Sequence, residues 1–260
     1  MLANVNGTNL FYEVTGDGLP LVFVHGLGST SNVWHAQRAG LAKYCKVITL
    51  DLPGSGRSDK NERIYSMEKW CDQILGLADA IKVDKFVLVG HSMTTVLAQK
   101  FAARHGSRLN GVVLCGPITE LGAAGKEAFS KRAEAVQKEG MIAVADGVLG
   151  GALTPATREA NAALAGMVRE MLLSNDTACY AGHCLALKEG SAKAEQANIK
   201  VPTLVLVGDQ DGVTPLANAR AIAAAVPGTK IRIIPATAHM TMLERPEAFN
   251  AALLEFLAAL

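Results

Sequence analysis

The 260-residue sequence predicts an α/β fold: a mostly parallel sheet flanked by helices and interrupted by a helical insertion. Three observations predict it. Short runs of aliphatic and β-branched residues recur along the first half, each closed by turn residues. Segments of helical character separate them. A long stretch without strand character then precedes two final runs of the first kind. Strand and helix in alternation build parallel sheets with right-handed crossovers.

The elements follow in order. Residues 9–14 come after an Asn6-Gly7 turn and are expected to form the second arm of a hairpin. Leu21-Val22-Phe23-Val24, Val47-Ile48-Thr49-Leu50, Phe86-Val87-Leu88-Val89 and Val112-Val113-Leu114-Cys115 are apolar at nearly every position. Such runs mark strands covered on both faces. One helix is predicted from Ser66, a good N-cap, to about residue 81. A second runs from Met93 to about residue 105, with Val96, Leu97 and Phe101 on one face. Helices are then expected over 126–139, 141–148, 155–174 and 177–189, with strands resuming at 203–207 and 230–234. A last helix opens at Pro246, which suits a first turn, and aligns Phe249, Leu253 and Phe256. The chain divides into a core of residues 1–118 and 196–260 and a helical lid of residues 119–195.

Composition narrows the function classes. Hydrophobic residues make up 50% and charged residues 19%, enough apolar material for a sizeable core. With 25 basic and 24 acidic residues, there is no cationic excess to hold a nucleic acid. No apolar run is long enough to cross a bilayer, so no membrane partner is expected. The opening residues lack the basic and apolar regions of a signal peptide, which predicts a cytoplasmic protein. The five cysteines form no C-x-x-C pair and are expected to be reduced and mostly buried.

The sharpest chemical signal is Gly90-His91-Ser92-Met93-Thr94, at the end of an apolar strand and the start of a helix. A serine on such a turn presents its hydroxyl above the sheet, beside the N–H groups of the helix start. Ligands of open α/β sheets bind outside the carboxyl ends of the strands, where this serine falls. A serine needs a base, and the base needs an orienting carboxylate. Asp209 and Asp211 follow the next-to-last strand, and His239 follows the last, so all reach one sheet edge. Glu120, after an earlier strand, is a further candidate acid. The order Ser, Asp, His on a strand–turn–helix scaffold matches a known pattern of hydrolytic triads. The turn His25-Gly26-Leu27-Gly28 can face the serine, so the N–H groups of Leu27 and Met93 are the candidate oxyanion hole.

On His25-Gly26, residues 51–58, the Ser92 turn, the Asp211 loop and Ala238-His239, nearly the whole chain resembles an α/β-hydrolase. It is similar more narrowly to the 3-oxoadipate enol-lactonase group. That likeness rests on Glu244-Arg245-Pro246-Glu247, Ala124-Gly125-Lys126-Glu127, Arg132-Ala133-Glu134 and residues 180–184. The resemblance implies an α/β-hydrolase fold with an inserted helical lid, and it assigns the acid to Asp211. It implies that Ser92 attacks a small-molecule ester or lactone, His239 acts as base, and an acyl-enzyme forms without metal or organic cofactor. Carbon–carbon hydrolysis of a diketone and a slow-turnover ligand receptor on the same fold are the alternative readings. Trp34, Tyr180 and His183 are the candidate pocket residues. Thr94 stands where the family usually has Gly, which implies looser packing or a shifted helix. Asp51-Leu52-Pro53-Gly54 lacks the Arg expected before its glycine, and Ala152-Leu153-Thr154-Pro155 lacks the Trp-Phe pair expected in enol-lactonases. An anionic lactone would call for a lid cation, and Arg132, Arg158, Arg169 and Lys188 are available.

Overall fold

The computed structural model describes residues 1–61 and 64–260. Eight strands, β1 (Leu2–Val5), β2 (Thr8–Thr15), β3 (Leu19–Val24), β4 (Cys45–Leu50), β5 (Phe86–His91), β6 (Leu109–Cys115), β7 (Thr203–Gly208) and β8 (Lys230–Ile234), form one sheet. Its order is β1-β2-β4-β3-β5-β6-β7-β8. The hairpin of β1 and β2 turns at Asn6 and Gly7, with φ of 51° and 84°, and β2 runs antiparallel to β4. Every pairing from β4 through β8 is parallel. The carboxyl ends of β3, β5, β7 and β8 therefore open on one edge. The chain leaves β3 toward β4 and leaves β5 toward β6, so the sheet reverses its winding between β3 and β5. Such reversals leave a crevice suited to ligands.

The unbroken apolar runs are explained by burial on both sides. Val22 and Val24 join one core, and Leu21 and Phe23 join the other. Helix α1 (His35–Leu41) precedes β4, and the first core is covered by α2 (Met67–Ala80) and α3 (Met93–Arg104) through Trp70, Ile74, Leu77, Val96, Leu97 and Phe101. The second is closed by Phe249, Leu253 and Phe256, the face expected for the last helix, Pro246–Leu257. Ser66 caps α2 as expected, its hydroxyl accepting the Lys69 N–H at 3.2 Å. All five cysteines are free and buried. No helix among the described residues is long and apolar enough to cross a membrane.

The segment between β6 and β7 is helical. It carries α4 (Ala123–Glu139), α5 (Ile142–Ala152), α6 (Pro155–Ala160), α7 (Ala162–Leu173) and α8 (Thr177–Glu189). The single helix expected over 155–174 is two, because Asn161 leaves helical geometry (φ −137°, ψ 75°) and its side chain caps the Leu164 N–H at 3.0 Å. The helix expected to stop at 148 continues through Gly150 and Gly151 to Ala152. Ala133 and Val136 of α4 meet Tyr180, Ala181 and Cys184 of α8 in a small core of their own.

Candidate active site

Ser92 sits in the turn between β5 and α3 with φ 54° and ψ −119°. That conformation is strained for any residue with a Cβ, and strain of this kind costs about 1–3 kcal/mol. It is held by the Ser92 N–H donating to the Cys115 carbonyl at 2.8 Å and by the Ser92 carbonyl accepting the Thr95 N–H at 2.9 Å. Met93 is the first residue of α3, so its N–H has no acceptor one turn earlier within the helix. Gly26 brings the loop after β3 against this turn: a Cβ there would lie 3.1 Å from the Ser92 Cβ and 2.9 Å from the His91 ring. That loop is fixed by His25, whose Nδ1–H donates to the Gly26 carbonyl (2.8 Å) while Nε2 accepts the Leu52 N–H (3.0 Å).

Thr94 corrects the expectation of loose packing. It is fully buried, and its hydroxyl accepts the His91 N–H at 3.0 Å and lies 3.1 Å from the Val24 carbonyl. The hydroxyl thus ties the turn to β3 where a glycine would leave it unbonded.

His239 lies in the segment after β8, and its Nδ1 is 2.9 Å from Asp211 Oδ2. The Asp211 carboxylate is buried and fully engaged. Oδ1 accepts the N–H groups of Val213 and Thr214 at 2.9 and 2.8 Å, and Oδ2 accepts the Thr214 hydroxyl at 2.8 Å. Burial raises the Asp211 pKa, but these hydrogen bonds and the His239 charge outweigh it, leaving it below the ordinary value. Asp209 plays a different part: its Oδ1 accepts the Thr237 N–H at 3.2 Å and holds the loop. Glu120 lies elsewhere, hydrogen-bonded to Ser191 at 2.8 Å and paired with Lys193 at 3.3 Å. Of the three candidate acids, Asp211 is the one hydrogen-bonded to His239.

Ser92, His239 and Leu27 line one cavity of about 120 Å³, with Phe129, Arg132 and Tyr180 from the insertion. The Tyr180 hydroxyl is buried beside Arg132, and its O–H has no acceptor among the described residues. Burial pushes its pKa up to about 12 against the opposing pull of Arg132, so it is an O–H donor at neutral pH. Arg132 lies over the Phe129 ring, 4.7 Å from its centroid, and makes no salt bridge among the described residues. Arg169 pairs with Asp146 at 2.8 Å and Lys188 lies 3.7 Å from Glu189. Neither they nor Arg158 line this cavity.

Two candidate pocket residues lie outside it. Trp34 is fully buried in the second core, its ring 5.0 Å from Phe23 and 6.1 Å from Phe249. His183 turns away from the cavity. Its Nε2–H donates to the Pro53 carbonyl at 2.8 Å, and its ring meets Tyr65 and Trp70 edge-on at 4.5 and 5.1 Å. Three further residues carry the site's support, and of these nothing in the sequence marked Thr214 or assigned Glu244 a role beyond its tail motif. Thr214 bonds Asp211, Glu244 accepts the Ala238 N–H at 2.6 Å, and His91 donates from Nε2 to the His239 carbonyl at 3.2 Å.

His91 and His183 also give the protein a pH dependence. Burial pushes both down to about 3 from the ordinary 6.5, with His239 adding to the effect on His91 and Asp211 opposing it. The unfolded chain therefore binds a proton at each below 6.5, while the folded chain binds none until about pH 3. More protons on the unfolded state mean stability that rises with pH across this window and is lost as pH falls through it. Each histidine is expected to contribute on the order of 1 kcal/mol per pH unit. Urea unfolding between pH 4 and pH 6.5 should show that slope, and His183→Asn should flatten it. A wild-type slope near zero would contradict the assignment.

Residues 21–252 match the family model described as the alpha/beta hydrolase family, and the chain belongs to that family. Among curated proteins it is 26% identical over 232 residues to 3-oxoadipate enol-lactonase 2 of Acinetobacter baylyi, covering 89% of this chain and 86% of that one. Among solved structures it is similar to the enol-lactonase from Burkholderia xenovorans, with a TM-score of 0.94, 31% identity and coverage of 99% and 100%. It is equally similar to a thermophilic esterase from Thermogutta terrifontis solved with malate bound, with a TM-score of 0.94, 29% identity and coverage of 100% and 98%.

Proposed function

We propose that this α/β-hydrolase cleaves small carboxylic esters or lactones through Ser92, His239 and Asp211. One observation carries the reading: a strained serine and a histidine bonded to a buried carboxylate share one small cavity. His239 Nε2 takes the Ser92 proton as Oγ attacks the carbonyl carbon. Asp211 accepts the Nδ1–H and stabilises the imidazolium. The Leu27 and Met93 N–H groups receive the oxyanion. His239 then protonates the leaving oxygen, and the acyl-enzyme is released by water activated at the same nitrogen. The helical insertion serves as the lid, closing the cavity over the serine.

The cavity favours a small substrate bearing an anion. Its volume of about 120 Å³ is well below the roughly 300–1,000 Å³ of sites for drug-sized ligands. Arg132 brings a charge without a salt-bridge partner, and Tyr180 brings a buried O–H without an acceptor. A substrate carboxylate satisfies both. The malate bound to the related esterase, itself a dicarboxylate, agrees with this.

The test compares monoethyl succinate with neutral ethyl butyrate. The wild type should prefer the anionic ester. Arg132→Gln should lower kcat/KM for it by about 10–100-fold, the worth of a charge-assisted hydrogen bond. The neutral ester should change by no more than about threefold. Equal losses on both esters would contradict anion recognition, and no turnover of any ester or lactone would contradict the function.

A further inference from the structure

The chain segment that carries His239 is fastened to the insertion by one buried carboxylate. Glu244 ends a short helix (Thr241–Glu244) and is 6% exposed. Its Oε2 accepts the Ala238 N–H at 2.6 Å, immediately before the imidazole, and its Oε1 accepts the Thr154 N–H at 2.8 Å. Thr154 joins α5 to α6. A second bond runs alongside, with the Met240 N–H donating to the Ala152 carbonyl at 2.9 Å. Both chain neighbours of His239 are thus held, directly or through Glu244, to residues 152–154. The same helix α5 supplies Gly147, Val148, Gly151 and Ala152 to the cavity wall.

We infer that Glu244 is a positioning residue: it locks the segment bearing His239 to the cavity wall of the insertion, so base and wall keep one geometry. The inference rests on His239 being the general base. The chemistry needs a carboxylate at this position. Two N–H donors from separate segments converge on one side chain, which must offer two acceptors. A glutamine offers one, and its NH2 would face an N–H in a buried setting, where an unmet donor is costly. The His91 Nε2–H donates to the His239 carbonyl, so the backbone before and after the ring is fixed.

The Thr154 backbone allows a clean test. Its φ of −61° and ψ of 153° suit proline, and Leu153 at φ −124° and ψ 147° suits the position before one. Thr154→Pro replaces the N–H that meets Glu244 with a ring Cδ that pushes the carboxylate away, and it also removes the side-chain cap on the Thr157 N–H. Thr154→Ala deletes the cap alone. Ester kcat, the rate of labelling of Ser92 by a small fluorophosphonate and Tm are measured on both variants and on Glu244→Gln. Thr154→Ala should stay within about twofold of wild type, while Thr154→Pro and Glu244→Gln should lose roughly tenfold in both kcat and labelling rate. Labelling needs an aligned base but little of the acyl pocket, so a parallel loss places the defect at His239. If Thr154→Pro and Thr154→Ala match in kcat and labelling while Tm alone falls, Glu244 is merely structural and the inference is overturned. A wild-type chain that the fluorophosphonate never labels would overturn the serine-hydrolase reading beneath it instead.

Discussion

Ser92→Ala is expected to lower kcat for ester hydrolysis by on the order of 10⁵-fold or more, with Tm unchanged or raised. The activity loss follows from chemistry. Without Oγ no acyl-enzyme forms, and what remains is the attraction of the oxyanion donors for the carbonyl oxygen. The Tm expectation follows from the backbone. Ser92 holds φ 54° and ψ −119°, and an alanine in that conformation would bear the same strain with no hydroxyl to place beside His239. Steady-state kinetics with p-nitrophenyl acetate and a thermal melt read both quantities. Turnover within tenfold of wild type would leave the serine with no role beyond starting α3.

Asp211→Asn should cost about 10⁴-fold in kcat, while Asp209→Asn should stay within a factor of about three. Four donors converge on the Asp211 carboxylate: the Val213 and Thr214 N–H groups, the Thr214 hydroxyl and His239 Nδ1. The two backbone donors hold the asparagine oxygen at the Oδ1 position. Its NH2 then faces His239 Nδ1 and can only donate, which selects the imidazole tautomer with its proton on Nε2. That tautomer cannot accept the serine proton. The Asp209 carboxylate accepts the Thr237 N–H rather than a bond from His239, so asparagine can replace it. Comparable losses in the two variants would show that the loop's fold, rather than one carboxylate, is what activity requires.

The strands and the triad candidates were legible because each is a local pattern. Apolar runs buried on both faces announce a parallel sheet, and a serine, an aspartate and a histidine at strand ends need no further information to share an edge. The supporting contacts were not local. Thr214 is one polar residue among many until its hydroxyl is seen against Asp211, and Glu244 bonds Thr154, 90 residues away in sequence. The direction of a side chain on an Ala-rich helix was equally hidden. Tyr180 and His183 lie within one turn on α8, yet Tyr180 faces the cavity and His183 packs between Tyr65 and Trp70. Which face of α8 meets the cavity is set by its packing on α4, which periodicity alone does not determine. The break at Asn161 had a readable cause, since asparagine competes for backbone donors and favours caps over helix interiors. The alanine-rich sequence on either side masked it.

The most direct measurement of the central claim is covalent capture. The wild-type protein is treated with a fluorophosphonate at neutral pH, digested, and its adduct located by mass spectrometry. A single adduct on the Ser92 hydroxyl is predicted, absent from Ser92→Ala and formed far more slowly by His239→Asn. An adduct on another residue, or labelling of Ser92 at the same rate without the imidazole, would contradict it.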